Sequence, residues 1–251
     1  VATTAVAADG GYRLDGEKTV VINGGSANKF VVSARTSGGQ FDHQGVSLFL
    51  VDAAAEGVSV KSYKTMDGQR AATVTLANVV VAEDQLLNAV GEGMDLVDQV
   101  MPSILMALSA EALGIMSTLN TITVDYSKTR QQFGSPIGSF QVLQHRMVDT
   151  FMACEQAKSM LYRSLCQANE CAADAAVDTT EFMKSVHALK VTMAKAGKQI
   201  GEEAIQLHGG IGLTDELNIG HFVKRLMTIN VTLGDRDFHQ KKFNQLSYSA
   251  S

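Results

Sequence analysis

The spacing of apolar residues changes near residue 84, and this change divides the chain into two kinds of structure. Before it, short apolar runs at 20–22, 30–32 and 47–51 are bounded by Gly, Asn and Asp, and residues 73–76 alternate with period two. Such runs are typical of strands with one buried face. After about residue 91, apolar residues recur every three or four positions, as at Val186, Leu189 and Met193, which predicts amphipathic helices. The sequence therefore predicts an α+β chain, with a β-region at 1–84 and a helical region at 85–251.

Breaks in the helical pattern fall at 134–139, around 169–180 and at 209–212. They predict three or four long helices, the first of which contains Pro102 and is expected to begin or kink there. Because the chain opens in the middle of a strand pattern, we also expect a preceding domain that this sequence lacks.

Composition excludes several classes of function. The 251 residues are 45% hydrophobic and 19% charged, and 21 Lys and Arg against 26 Asp and Glu leave a net charge of −5. This balance argues against binding nucleic acid through a basic surface. The sequence contains no run of about 18 uninterrupted apolar residues, so it predicts no membrane span. Neither a targeting segment nor a metal-ligand spacing of Cys or His is recognisable, so a reduced, cytoplasmic setting without a bound metal is expected.

The segment Arg130-Gln131-Gln132-Phe133-Gly134 has two interpretations. In the first interpretation, the segment is the end of a helix, with Gly134 beyond the last turn and Pro136 preventing continuation. Alternatively, Arg130 is fixed beside the loop and offers its planar guanidinium to a phosphate.

The segment Gln206-Leu207-His208-Gly209-Gly210-Ile211-Gly212 is equally ambiguous. Glycines commonly terminate a helix. They also allow a ligand to approach the backbone closely, with Gln206 donating a side-chain hydrogen bond.

Glu111 lies in an apolar helical stretch. A carboxylate in such a place is either paired structurally or a base with a raised pKa.

Taken in order, the segments at 12–25, 130–141 and 206–212 resemble the acyl-CoA dehydrogenase family over almost the whole chain. The resemblance implies a partial middle β-domain followed by a C-terminal all-α four-helix bundle. It also implies FAD as the cofactor, bound at a two-fold interface where the helices of one subunit touch the FAD of its neighbour.

The same resemblance assigns roles to individual residues. Arg130 would contact the FAD pyrophosphate across the interface, with Phe133 packed beside the cofactor. The adenosine diphosphate portion would be lined by Gln141, Gln206, Gly209 and Gly210.

Three departures from the family pattern concern catalysis. Aliphatic Val20 and Ile22 stand where the family has Trp and Thr beside the flavin. No Glu precedes Gly234, where the usual base stands, and the alternative base position on the first long helix falls near Ile104. The catalytic residue is therefore unknown, and Asp235 and Glu111 are weak candidates.

The resemblance implies an FAD-dependent acyl-CoA dehydrogenase, which desaturates an acyl-CoA thioester, or the FAD-interface subunit of a heteromeric one. The alternative is a structural partner subunit without catalytic activity. Expected partners are the acyl-CoA substrate and a second subunit, either this chain or a paralogue, in a dimer or tetramer.

Overall fold

A computed structural model describes residues 1–174 and 178–248. The chain forms two compact units, Val1–Met101 and Pro102–Ser251. The boundary that the sequence predicts, between residues 84 and 85, remains a prediction.

The first unit is a six-stranded sheet. Its strands are β1 (Thr4–Ala8), β2 (Gly11–Ile22), β3 (Lys29–Arg35), β4 (Val46–Asp52), β5 (Val58–Lys64) and β6 (Arg70–Ala82). They lie in the order β4-β3-β1-β2-β6-β5, and all neighbours are antiparallel except β1 and β3. Short loops join most sequential strands, which favours antiparallel pairing.

Alternation along these strands builds a core on one side of the sheet. Leu14, Phe49, Val51 and Val79 are fully buried in a cluster that draws on five strands. Arg13 beside Leu14 and Asn78 beside Val79 are exposed, as period two requires, whereas β4 is buried on both faces, with Ser47 and Leu48 buried beside Phe49.

The second part of the chain is helical. It contains α1 (Gly93–Thr129), α2 (Gln141–Ala173), α3 (Thr180–His208), α4 (Ile219–Val231) and α5 (Arg236–Tyr248). A small hairpin, β7 (Gln131–Gln132) with β8 (Ser135–Pro136), joins α1 to α2. The predicted small sheet followed by a helical bundle is confirmed. Three of the helices are long, as the sequence predicts, and α4 and α5 are shorter.

Helix α3 lies at the centre of the helical unit and packs against α2, α4 and α5. Its apolar face buries Val186, Leu189, Met193 and Ile200. The three- and four-residue spacing of these side chains, visible in the sequence, places them on one side of the helix.

Helix α1 is unusually apolar, and it continues through Pro102 instead of beginning there. Among the described residues, it is the one helix long and apolar enough to cross a membrane by length and composition. Met116 and Leu119 are nevertheless fully buried, and Asn120 Nδ2 donates to the Thr150 carbonyl of α2 at 3.2 Å. These contacts identify α1 as a core helix of the helical unit.

Candidate functional site

The ends of α1 and α3 border an open cleft of about 410 Å³. Four of the residues singled out from the sequence line it, namely Arg130, Gln206, Gly209 and Gly210. They come from two segments that are about 75 residues apart in the chain. The fold thus brings the arginine segment and the glycine segment together at one site.

Backbone hydrogen bonds fix Arg130 at the edge of this cleft. Its N–H donates to the Tyr126 carbonyl at 2.8 Å, which ends α1, and its carbonyl accepts from Ile137 N–H at 2.8 Å. The side chain is exposed. Within residues 1–174 and 178–248, no carboxylate pairs with its guanidinium, which therefore remains free to bind an anion with its planar fork.

The glycine turn lines the same cleft. Gly209 ends α3 with φ of +65°, and its N–H donates to the carbonyls of α3. A Cβ added at Gly209 or at Gly210 would have no heavy atom within 4 Å. The two residues therefore leave open space beside the backbone, which a ligand could fill.

Two aromatic side chains that the sequence reasoning missed also line the cleft. The rings of Tyr126 and His208 are stacked, with centroids 4.3 Å apart. His208 is 4% exposed, and its Nδ1 lies 2.7 Å from the Ala204 carbonyl. We assign the proton to Nδ1, which leaves Nε2 as an acceptor, and Nε2 is buried without a partner.

Phe133 and Gln141 are not among the residues that line the cleft. Phe133 lies at the tip of the hairpin with φ of +55° and is 93% exposed. Its ring meets the edge of Phe140 at 6.2 Å. Gln141 is exposed at the first turn of α2. Their expected roles remain predictions.

Both weak candidates for the base are engaged in structural interactions. Glu111 accepts two hydrogen bonds from Arg225 of α4, at 2.6 Å from Nε and 2.8 Å from Nη2. Asp235 Oδ1 accepts from Phe238 N–H at 2.8 Å, which is the contact of a residue that caps the start of α5. Neither carboxylate is held as an isolated base.

The turn between α4 and α5 is held in an uncommon backbone conformation. Leu233 has φ of +58° and Gly234 has φ of +108°. His239 Nε2 lies 3.2 Å from the Leu233 carbonyl, and its Nδ1 lies 2.9 Å from Nδ1 of His187. Burial, and after it the neighbouring His187 and Lys190, lower the pKa of His239 to about 4. Burial also lowers the pKa of His187, so both imidazoles are neutral near pH 7.

The two aliphatic departures lie on β2 in the sheet unit. Val20 is 60% exposed and Ile22 is 56% exposed. Val20 also has φ of +54°, which is strained for a β-branched residue, and its N–H donates to the Tyr63 hydroxyl at 3.1 Å.

Comparison with known proteins assigns the class. Residues 1–84 match the family model "Acyl-CoA dehydrogenase, middle domain", and residues 91–242 match "Acyl-CoA dehydrogenase, C-terminal domain". The chain belongs to the acyl-CoA dehydrogenase family of oxidoreductases, and the resemblance seen in the sequence is confirmed.

Individual relatives are moderately similar. The chain is 28% identical over 219 residues to the short-chain specific acyl-CoA dehydrogenase of Megasphaera elsdenii, covering 86% of this chain and 55% of that protein. It is 28% identical over 243 residues to L-prolyl-[peptidyl-carrier protein] dehydrogenase of Serratia sp. (strain ATCC 39006), covering 95% and 60%.

The solved structure described as PigA with FAD and proline superposes with a TM-score of 0.90 at 25% identity, covering 99% of this chain and 63% of that one. The chain thus spans little more than half the length of the relatives that it matches.

Proposed function

We propose that this chain forms the helical-domain side of an FAD site in an oxidoreductase that desaturates acyl-CoA thioesters, and that it does not supply the catalytic base. The observation that carries the proposal is the cleft lined both by Arg130, which has no counter-ion within residues 1–174 and 178–248, and by two glycines with open space beside them.

The cleft has chemistry that suits a dinucleotide. Arg130 would hold the pyrophosphate through its planar fork, while Gly209 and Gly210 would admit the ligand close to the backbone. Gln206 is exposed beside them with a side-chain amide that both donates and accepts. The buried Nε2 of His208 would accept a hydrogen bond from a ligand hydroxyl or amino group. When bound, FAD would supply the hydride acceptor.

The second part of the proposal concerns the base. Removing an α-proton requires a carboxylate within hydrogen-bond reach, and general-base catalysis contributes roughly 10²–10⁴-fold. Glu111 is bound by Arg225, Asp235 caps α5, and the residue before Gly234 is Leu233. We infer that a second, paralogous subunit supplies the base and that the complex functions in the cytoplasm.

A related candidate is a purely structural partner subunit. It is favoured by the exposed aliphatic side chains of Val20 and Ile22, which cannot replace the ring and hydroxyl that the family has beside the flavin.

Titration of the purified chain with FAD, followed by flavin fluorescence, tests the cofactor site. Arg130→Ala should weaken FAD binding about 10- to 100-fold, since a charge-assisted contact contributes about 1.5–3 kcal/mol. Arg163→Ala, which removes an exposed arginine from α2 away from the cleft, is the matched control and should bind FAD normally. Equal affinity of the Arg130 variant and the wild type would reject the assignment.

An artificial-acceptor assay over a panel of acyl-CoAs tests the missing base. The chain alone should give little or no turnover. A mixture with a paralogous subunit that has Glu before the glycine should give turnover that falls when Arg130 is replaced. Robust turnover by the chain alone would contradict the proposal, whereas a mixture that is insensitive to Arg130 would favour the structural partner.

A further inference from the structure

Helices α1, α3 and α4 border a second cavity, of about 230 Å³. Its wall is mainly carbon, with Ala112 from α1, Met193 from α3, and Val223, Leu226 and Ile229 from α4. Gly197 and Gly201 of α3 also line it, and a Cβ added there would lie 3.6 Å from Leu226 and 3.4 Å from Val223, respectively. None of its lining residues belongs to the cleft that contains Arg130.

One wall of this apolar cavity carries a buried cation. Lys190 is 3% exposed, and its Nζ donates to the carbonyls of Ile229 at 2.9 Å and Thr232 at 3.1 Å. An ammonium has three N–H donors, so one remains. In the part of the chain that the structure describes, no carboxylate lies within 4.0 Å of it. Burial lowers the pKa of Lys190 to about 8.

A polar side chain of α4 that lines the same cavity is also incompletely satisfied. Oδ1 of Asn230, which lines the cavity, is buried without a hydrogen-bond partner. Reversing the amide would turn its two N–H donors towards the cavity. Lys190 and Asn230 together then offer donors to an anion in a mainly apolar space, which Lys198 and Glu202, paired with each other at 3.8 Å, also line.

We propose that this cavity binds a monocarboxylate with an unbranched apolar tail of six to eight carbons. The carboxylate accepts from Lys190 Nζ and from the Asn230 amide, and the tail lies along Met193, Val223 and Leu226. A volume of 230 Å³ is room for about eight groups the size of a water molecule, at roughly 30 Å³ each, which sets the length of the tail. The proposal is independent of the FAD site.

A second role of Lys190 does not account for the cavity. A cation at the carboxyl end of a helix satisfies its last carbonyls and interacts favourably with the helix dipole, and Lys190 does this for α4. That role uses two donors and needs no adjoining space. A bound carboxylate would use the third donor and neutralise a buried charge, which is otherwise costly.

Calorimetric titration of the whole chain with octanoate tests the proposal, with 1-octanol as an uncharged probe of equal length. Octanoate should bind at least ten-fold more tightly than 1-octanol. Equal binding of the two probes, or no binding of octanoate up to its solubility limit, would overturn it.

Two variants test separately the contact of Lys190 with the carboxylate and the need for the volume of the cavity. Lys190→Met should weaken octanoate binding at least ten-fold and leave the weak binding of 1-octanol in place. Because this variant also loses the α4 cap and its folding is at risk, Gly197→Leu provides a second test: it fills the cavity, keeps Lys190, and should abolish binding of both probes. Unchanged octanoate affinity in Gly197→Leu would show that the ligand binds elsewhere and would refute the proposal.

Discussion

Replacing Glu111 distinguishes a structural carboxylate from a catalytic one. The Glu111 side chain is 42% exposed and that of Arg225 is 22% exposed, and the two form a bidentate pair at 2.6 and 2.8 Å. The pair joins α1 to α4 across 114 positions of sequence. Its removal should therefore loosen the contact between these helices.

The size of the effect follows from geometry and exposure. Exposed ion pairs contribute about 0.2–1 kcal/mol, whereas a charge-assisted hydrogen bond in a buried place contributes about 1.5–3 kcal/mol. A bidentate pair of intermediate exposure should lie between these limits. We expect a coupling free energy of about 1–2 kcal/mol between Glu111 and Arg225.

A double-mutant cycle with Glu111→Gln and Arg225→Gln measures this coupling through urea denaturation. The cycle cancels the other contacts of Arg225, so only the shared interaction remains. Activity of the complex with a paralogous subunit is measured in parallel, and Glu111→Gln should change it less than about three-fold. A coupling below about 0.5 kcal/mol, or a loss of activity of 100-fold or more with stability unchanged, would show that Glu111 is not the structural residue described above.

Four further outcomes are expected. Gly197→Ala should stabilise the chain by about 1 kcal/mol in urea denaturation, because alanine favours the helix and the new Cβ would lie 3.6 Å from Leu226, an ordinary contact; a loss of stability would contradict this packing. Asp235→Ala should cost about 1 kcal/mol through the lost cap of α5, whereas a catalytic Asp235 would show its effect in turnover instead. Phe133→Gly should leave the melting temperature unchanged or raise it, since φ of +55° suits glycine, while FAD affinity falls if Phe133 packs beside the cofactor. The pKa of His239 in the folded chain, about 4, lies below its ordinary value of 6.5, so the unfolded chain takes up the proton first as the pH falls. The contribution of His239 to stability is therefore full above pH 6.5 and is lost as the pH falls towards 4. His239→Gln should flatten this dependence of stability on pH.

The sequence predicts the order of the two regions and the two segments that line the cleft because each of those features is local. The spacing of apolar residues predicts strands and helices directly, and Gly134 and Gly209 indicate the ends of helices by residue type. The end of α1 and the end of α3 each carry a recognisable segment, so the resemblance to a known family also placed them at one site.

The features that the sequence did not predict depend on contacts between distant segments. The stacking of Tyr126 on His208 joins positions 82 residues apart, and neither residue is unusual in its own segment. Lys190 interrupts the apolar face of α3, and a lysine in such a place normally extends its amine to solvent. Lys190 is buried instead because its Nζ donates to the carbonyls at the end of α4, a contact that the sequence alone does not show.

The turn between α4 and α5 has a consequence for how this chain can change over evolutionary time. Any side chain at Gly234 would collide with Phe238, and the Leu233 carbonyl is anchored by His239, so backbone and neighbours set the shape of the turn. The side chain of Leu233 is 41% exposed and takes no part in that anchoring. Residue 233 can therefore be exchanged without rebuilding the turn, and Leu233→Glu would carry a carboxylate on an unaltered scaffold. Under the proposal that this chain lacks the base, a single substitution at residue 233 would supply a carboxylate, which makes the turn a starting point for engineering activity into this chain.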